Sequence, residues 1–404
     1  MIKKIQILWL SMLVTAGMLY SQNQTISSPF SQAKFVPNIS AILDFSYIYR
    51  DLDDLEIERM YMPGYSTMGE DTHYGENGFS LNYFELAIES VVDPYFDLFA
   101  VFQFTEGEFS IEEAYFKTRS LPAGFQIKGG KFFSGFGRLN ARHDHQWNFC
   151  DQPLVYKSIF GAVNLNDLGV QVNWVAPTDL FLKLGLEVFQ GRNEDSRSFH
   201  NRDMTINDTL YEKSSVPLIA AFLKTSTDIG NFVFLGGVSH ATGRINKFHE
   251  DAGYGISGSS HVWGANLTIK YLIDSYRYLN LESEFIHRFT QGDTISETDT
   301  TDIDTKQFGF FSELIWRFKR RWRGGIRYDW LKGGDDLYPD TDVDIPGNLN
   351  KWSAMLEFNA TEFSRIRLQY NYNKAKVLDG ELTGFSEIFI NCNLAIGAHG
   401  AHKF

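Results

Sequence analysis

Paired runs in which apolar and polar residues alternate one by one constrain this chain more than any other feature. From Leu168 to Ala176, the residues Leu168, Val170, Val172 and Trp174 alternate with Gly169, Gln171, Asn173 and Val175. Beyond the turn-forming Pro177-Thr178-Asp179, Leu180, Leu182, Leu184, Leu186 and Val188 alternate with Phe181, Lys183, Gly185, Glu187 and Phe189. A period of two belongs to a strand whose faces meet different surroundings, and two such runs across a tight turn make a hairpin. The unit recurs, with turns at Asp93-Pro94, Leu121-Pro122-Ala123-Gly124, Thr227-Asp228-Ile229-Gly230, Asp274-Ser275, Lys319-Arg320-Arg321 and Thr361-Glu362-Phe363. A first strand near 39–50 and a last near 385–397 bring the expected total to sixteen. The remaining connections are polar and mostly long, near 51–78, 135–166, 190–214, 240–260, 290–306, 332–350 and 374–384, with a short one at Glu106 to Phe109.

Short turns at one end and long loops at the other predict an all-β fold: a transmembrane antiparallel up-and-down β-barrel of about 16 strands, with periplasmic turns and extracellular loops. The 35 Phe, 19 Tyr and 8 Trp sit in a chain whose mean hydropathy is only -0.23, which suits strands apolar toward lipid and polar toward a wet lumen. After residue 21 no segment approaches the ~18 to 20 apolar residues of a spanning helix. Met1-Ile2-Lys3-Lys4, the apolar run Ile5 to Tyr20 and the polar Ser21-Gln22 predict a signal peptide at 1–21, a short periplasmic segment at 22–38 and a barrel at 39–404. The expected location is the outer membrane of a Gram-negative bacterium, with lipid, lipopolysaccharide and the outer-membrane assembly machinery as partners. An alternating last strand, Ile388 to Ile396, and the terminal Phe404 resemble the signal read by that machinery, although Gly400 and His402 stand where apolar residues are usual.

Loss of Lys3 and Lys4 takes the formal charge from -13 to -15, and so acidic a chain lacks the basic footprint that nucleic acid requires. Cys150 and Cys392 permit one disulfide without implying it. Alternation turns Arg317, Arg323, Arg327, Arg365 and Arg367 into the lumen, with Glu313, Asp329 and Glu357 beside them and Glu85, Glu89, Glu187, Glu282 and Glu284 elsewhere on the inner face. Two readings stay open: a basic patch that favours anions, or cross-bracing of the wall by paired charges.

The segment Ile127-Lys128-Gly129-Gly130-Lys131-Phe132-Phe133-Ser134-Gly135-Phe136-Gly137-Arg138-Leu139-Asn140 resembles the G-x-x-K-x-x-F-G strand-to-loop segment of the phosphate-selective porins O and P. Its continuation, through His143-Asp144-His145 and Asp151-Gln152-Pro153-Leu154-Val155 to Asn166-Asp167-Leu168-Gly169-Val170, is similar to a subgroup labelled zinc-regulated TonB-dependent outer-membrane receptors. The resemblance implies a homotrimeric sixteen-stranded porin, with Lys131 and Arg138 at the lumen or its constriction. Alternation instead turns Lys128 inward, and Lys131 only if Gly129-Gly130 forms a bulge. A first strand beginning near residue 39 leaves no room for the plug domain of a TonB-dependent receptor. The expected function is therefore passive or weakly selective diffusion of small solutes, anions among them. The alternative is a receptor or adhesion barrel with a closed pore. His143, Asp144 and His145 are candidate ligands for a metal such as zinc. Ser259-Ser260-His261 lacks a G-x-S-x-G elbow and a third partner, so no enzyme and no cofactor are expected.

Overall fold

The structure, a computed structural model, describes residues 36–52, 77–206, 208–249, 254–332, 347–378 and 381–397. The expected leader, most of the 22–38 segment, the loop clusters near 53–76 and 333–346, and Phe404 lie outside the described residues.

Sixteen strands close into one antiparallel barrel. In chain order they are β1 (Asn38–Arg50), β2 (Gly78–Val91), β3 (Phe96–Phe104), β4 (Phe109–Thr118), β5 (Phe125–Phe133), β6 (Asn166–Val175), β7 (Phe181–Phe189) and β8 (Leu218–Ile229). The second half comprises β9 (Phe232–His249), β10 (Tyr254–Leu272), β11 (Tyr278–Ser296), β12 (Thr300–Lys319), β13 (Trp322–Leu331), β14 (Leu349–Thr361), β15 (Ser364–Leu378) and β16 (Glu381–Ile396). Each strand pairs with its sequence neighbours, and β1 closes the ring on β16 with Ala41 opposite Ile396 and Arg50 opposite Glu387.

The outer face shows why lipid suits it. On β13, Trp322, Ile326, Tyr328 and Trp330 point outward while Arg327 and Asp329 are buried inside. Trp322 packs on Phe358 near the short turns, and Trp330 packs on Phe308 and Phe310 farther up. Eight residues at about 3.3 Å each separate the two tryptophans, roughly 26 Å along the strand and, at a tilt of about 40°, ~20 Å in height, most of the apolar band between aromatic girdles.

Two of the expected long loops, 240–260 and 290–306, are instead continuations of strand: β9 to β12 run 18–20 residues each. Above the lipid both faces meet polar surroundings, so the hydropathy alternation fades while the backbone ladder continues. The opposite extreme is β3 to β5, only 9–10 residues each, which make a low stretch of wall. Cys150 and Cys392 are not joined to each other, so the permitted disulfide is not formed.

Candidate functional site

The lumen is occupied by the chain itself. Residues 134–165, between β5 and β6, carry a seven-residue helix, α1 (Leu154–Phe160), every residue of which is buried. Phe132, Phe136, Leu139, Trp147, Leu154 and Tyr156 belong to an apolar cluster that also takes in Ala241, Val262, Ile286 and Phe311 from the inner wall. The loop 190–217 adds Phe199 to that cluster and lies over α1, with the Ser198 hydroxyl donating to the Ile159 carbonyl.

Wall carboxylates receive the backbone N–H groups of the inserted segment, which strand pairing does not serve. Glu187 accepts from Gly135 N–H at 2.8 Å, and Glu284 accepts from Arg138 N–H at 3.1 Å, Leu139 N–H at 2.6 Å and the Tyr156 hydroxyl at 2.8 Å. Gly137 sits at φ +56°, and a Cβ there would lie 2.3 Å from a Glu284 oxygen, so the approach needs glycine. Asn140 clasps the base of the insertion, donating to the carbonyls of Ser134 (2.9 Å) and Leu165 (3.0 Å) and accepting from Leu165 N–H (2.7 Å). The Leu154 N–H at the start of α1 donates to Asp329 at 3.0 Å.

The charges of the insertion complement the walls they touch. Its basic first half faces an acidic wall, where Arg138 and Arg142 both reach Glu282, at 3.0 and 2.9 Å. Asp151, farther along, faces the arginine wall. One of its oxygens accepts from Arg327 at 3.0 Å and Gln369 at 2.5 Å, the other from Lys351 at 2.5 Å, all four side chains being buried. Arg327 also binds Asp329 at 2.8 Å and the Asp151 carbonyl at 2.8 Å.

The five predicted lumenal arginines are on the inner face of β12, β13 and β15, and each has a partner. Arg323 makes a two-armed pair with Glu357, at 2.6 and 2.8 Å, and Arg367 reaches the same carboxylate at 3.1 Å. Arg365 donates to the His145 carbonyl at 2.8 Å and lies 3.9 Å from Glu357. Arg317 donates to the Arg320 carbonyl. Paired charges thus cross-brace this wall.

Lys128 and Lys131 part company. The ladders on both sides of β5 run through Gly129 and Gly130 without a register shift, so there is no bulge. Lys128 turns inward, its ammonium 4.5 Å from the Tyr115 ring and 4.6 Å from that of Phe132. Lys131 turns outward on the face of Phe116, and its ammonium donates to the Ile111 carbonyl at 2.8 Å. Its expected place at the constriction is thereby corrected: unbroken period-two pleating cannot put both lysines inside.

Of the candidate metal ligands, His143 and His145 are buried and stacked, with ring centroids 5.6 Å apart. His143 meets Glu112 at 2.9 Å and Glu113 at 3.0 Å, and Glu85, Glu112 and His143 offer ligand atoms within 4.8 Å of one another. Asp144 is not in that group. It opens a short 3₁₀ turn (Asp144–Gln146) and lines a small cavity with Asp44, Tyr83, Arg365 and Arg367. The wall contributes Glu112 through a bulge: Val101 pairs with Glu113 and Phe102 with Ile111, leaving Glu112 as the extra residue, so two successive carboxylates reach the same histidine. Strict alternation hides this pair, and Asp151 is equally hidden because a loop has no period to read. Ser260 is buried toward the lumen, whereas His261 stacks on His240 on the outer face, so the two cannot work together.

No family model matches the chain. An uncharacterized protein of Aquifex aeolicus (strain VF5) is 43% identical over 386 residues, which cover 93% of this chain and 82% of that protein. Among solved structures the fold is similar to the outer membrane channel DcaP of Acinetobacter baumannii (TM-score 0.58, 10% identity, 92% of this chain and 100% of that one). It is also similar to an anion-selective porin from Comamonas acidovorans (TM-score 0.55, 8% identity, 90% and 100%) and to OprB of Pseudomonas putida (TM-score 0.55, 10% identity, 90% and 94%). The architecture is that of an outer-membrane porin.

Proposed function

The chain belongs to the same family as the Aquifex aeolicus protein, and we propose that it is a porin-type outer-membrane channel in which residues 134–165 set what passes. The observation that carries this reading is the anchoring of that segment by opposite charges on nearby strands, Arg138 and Arg142 on Glu282 of β11 and Asp151 on Arg327 of β13 and Lys351 of β14. The segment is also held by the apolar cluster and by Glu187, Glu284 and Asn140, so the seated arrangement is the resting one and displacement of its Asp151 end is what the ion pairs oppose. Permeation through the seated arrangement is confined to small solutes.

Anions are the favoured cargo in this reading. Arg323, Arg327, Arg365, Arg367 and Lys351 share one wall with the carboxylates of Glu357, Asp151 and Asp329, so cations outnumber their partners there. The Comamonas acidovorans porin of similar fold is anion-selective, in keeping with this reading. Phosphate specificity does not follow, since the segment that resembles porins O and P sends Lys131 outward. Homotrimers fit the low wall of β3 to β5, where Phe96, Phe104, Phe109 and Phe116 are exposed as an aromatic patch.

Reversal potentials across a planar bilayer in a KCl gradient test the cargo. Wild type should prefer chloride, and Arg365→Glu with Arg367→Glu should reverse the sign. An unchanged reversal potential rejects the arginine wall as the selectivity element.

A further inference from the structure

The geometry points to a divalent-metal site that staples the inserted segment to the barrel wall, and we propose Glu85, Glu112 and His143, whose ligand atoms already lie within 4.8 Å of one another, as three of its ligands, with His145, which lies outside that group but has Nδ1 3.3 Å from Glu85 Oε2, turning in as the fourth. Three of the separations are already near those of such a site. His143 Nδ1 lies 2.9 Å from Glu112 Oε2 and 3.9 Å from Glu85 Oε2, and His145 Nδ1 lies 3.3 Å from Glu85 Oε2. A tetrahedral ion with bonds of about 2.0–2.1 Å spaces its ligands by roughly 3.3 Å, in the middle of that range. Imidazole nitrogen with carboxylate oxygen is a donor set that zinc and its neighbours accept.

The second nitrogen of His143 completes the argument. Nε2 faces Glu113 Oε2 at 3.0 Å, the carboxylate–histidine arrangement that fixes the ring and its tautomer when the other nitrogen holds a metal. The bulge at Glu112 makes both contacts possible, because without it Glu112 and Glu113 would face opposite sides of the wall.

The ligands come from β2, from β4 and from the inserted segment, so metal binding ties parts of the chain distant in sequence. It fastens the inserted segment to β2 and β4, beside the bond from Arg365 to the His145 carbonyl.

The test uses the full chain, produced without a histidine tag, stripped with EDTA, dialysed and titrated with Co²⁺ and Zn²⁺ alone. One ion per chain with the visible absorption of four-coordinate Co²⁺ is expected. Glu112→Gln and His145→Gln should each weaken binding by a hundredfold or more, and Glu113→Gln by about 10- to 100-fold with stoichiometry kept. Absence of stoichiometric metal, or binding indifferent to both Glu112→Gln and His145→Gln, overturns the proposal. Should those variants fail to fold, X-ray absorption at the zinc edge of the loaded wild type decides: a shell with two imidazoles supports the site, and one without imidazole overturns it.

Discussion

Replacing Asp151 by Asn is the most informative single perturbation of the seated segment. The change is nearly isosteric, but it removes the negative charge that Arg327 and Lys351 share at 3.0 and 2.5 Å inside a buried network. Arg327 keeps Asp329 at 2.8 Å, whereas Lys351, among the described residues, keeps the Gln152 carbonyl at 3.4 Å. Leaving a buried charge uncompensated costs about 3–5 kcal/mol, and at 1.4 kcal/mol per decade this moves the balance from seated to displaced by a factor of roughly 10² to 10⁴. Cys150 supplies the assay, since it belongs to the seated segment beside Asp151 and its side chain is buried against Ile48 and Phe389 of the wall. In a Cys392→Ser background, a water-soluble maleimide should label Cys150 slowly in wild type and faster by that factor in Asp151→Asn. Asp203→Asn, which breaks an exposed pair with Lys213, is the control and should leave the rate unchanged. Equal labelling rates in the two variants would refute the claim that Asp151 holds the segment in place.

Three further outcomes follow from the same geometry. Glu357→Gln removes the carboxylate shared by Arg323, Arg365 and Arg367 and should lower stability by about 3–5 kcal/mol, read from the denaturant midpoint of tryptophan fluorescence. Phe104→Lys with Phe116→Lys places charge on the low wall and should turn trimers into monomers on native gels, with the barrel's heat-modifiable mobility retained. Burial, with Lys247 and Arg202 nearby, holds the His200 imidazole of the 190–217 loop down to about 4. Its folded value lies below the ordinary one, so its contribution is complete above about pH 6.5 and is lost as pH falls toward 4. A fluorophore at Asp208→Cys should report loosening of that loop over this interval, and His200→Gln should abolish the response.

The barrel was legible wherever lipid lies on one side, because only there does each strand separate apolar from polar residues one by one. Hence β6 and β7, joined across Pro177-Thr178-Asp179, were readable almost residue by residue, while the tops of β9 to β12 looked like loops. The inward arginines were legible for the same reason, and their partners only in part: Glu357 and Asp329 share the strand period, but Asp151 sits in a segment without one. Lys131 shows the opposite error, since a motif likeness argued for a placement that the pleat forbids. Glu112 shows a third, in which one extra residue in β4 turns a side chain that alternation sends to lipid into a partner of His143.

Single-channel recording in planar bilayers tests the central claim most directly, by comparing wild type with Asp151→Asn and with a chain whose residues 141–163 are replaced by a short glycine-serine linker. If residues 134–165 restrict the lumen, wild type gives small, infrequent steps, Asp151→Asn gives more frequent openings, and the shortened chain gives large, steady ones. Identical conductance in all three would contradict the account.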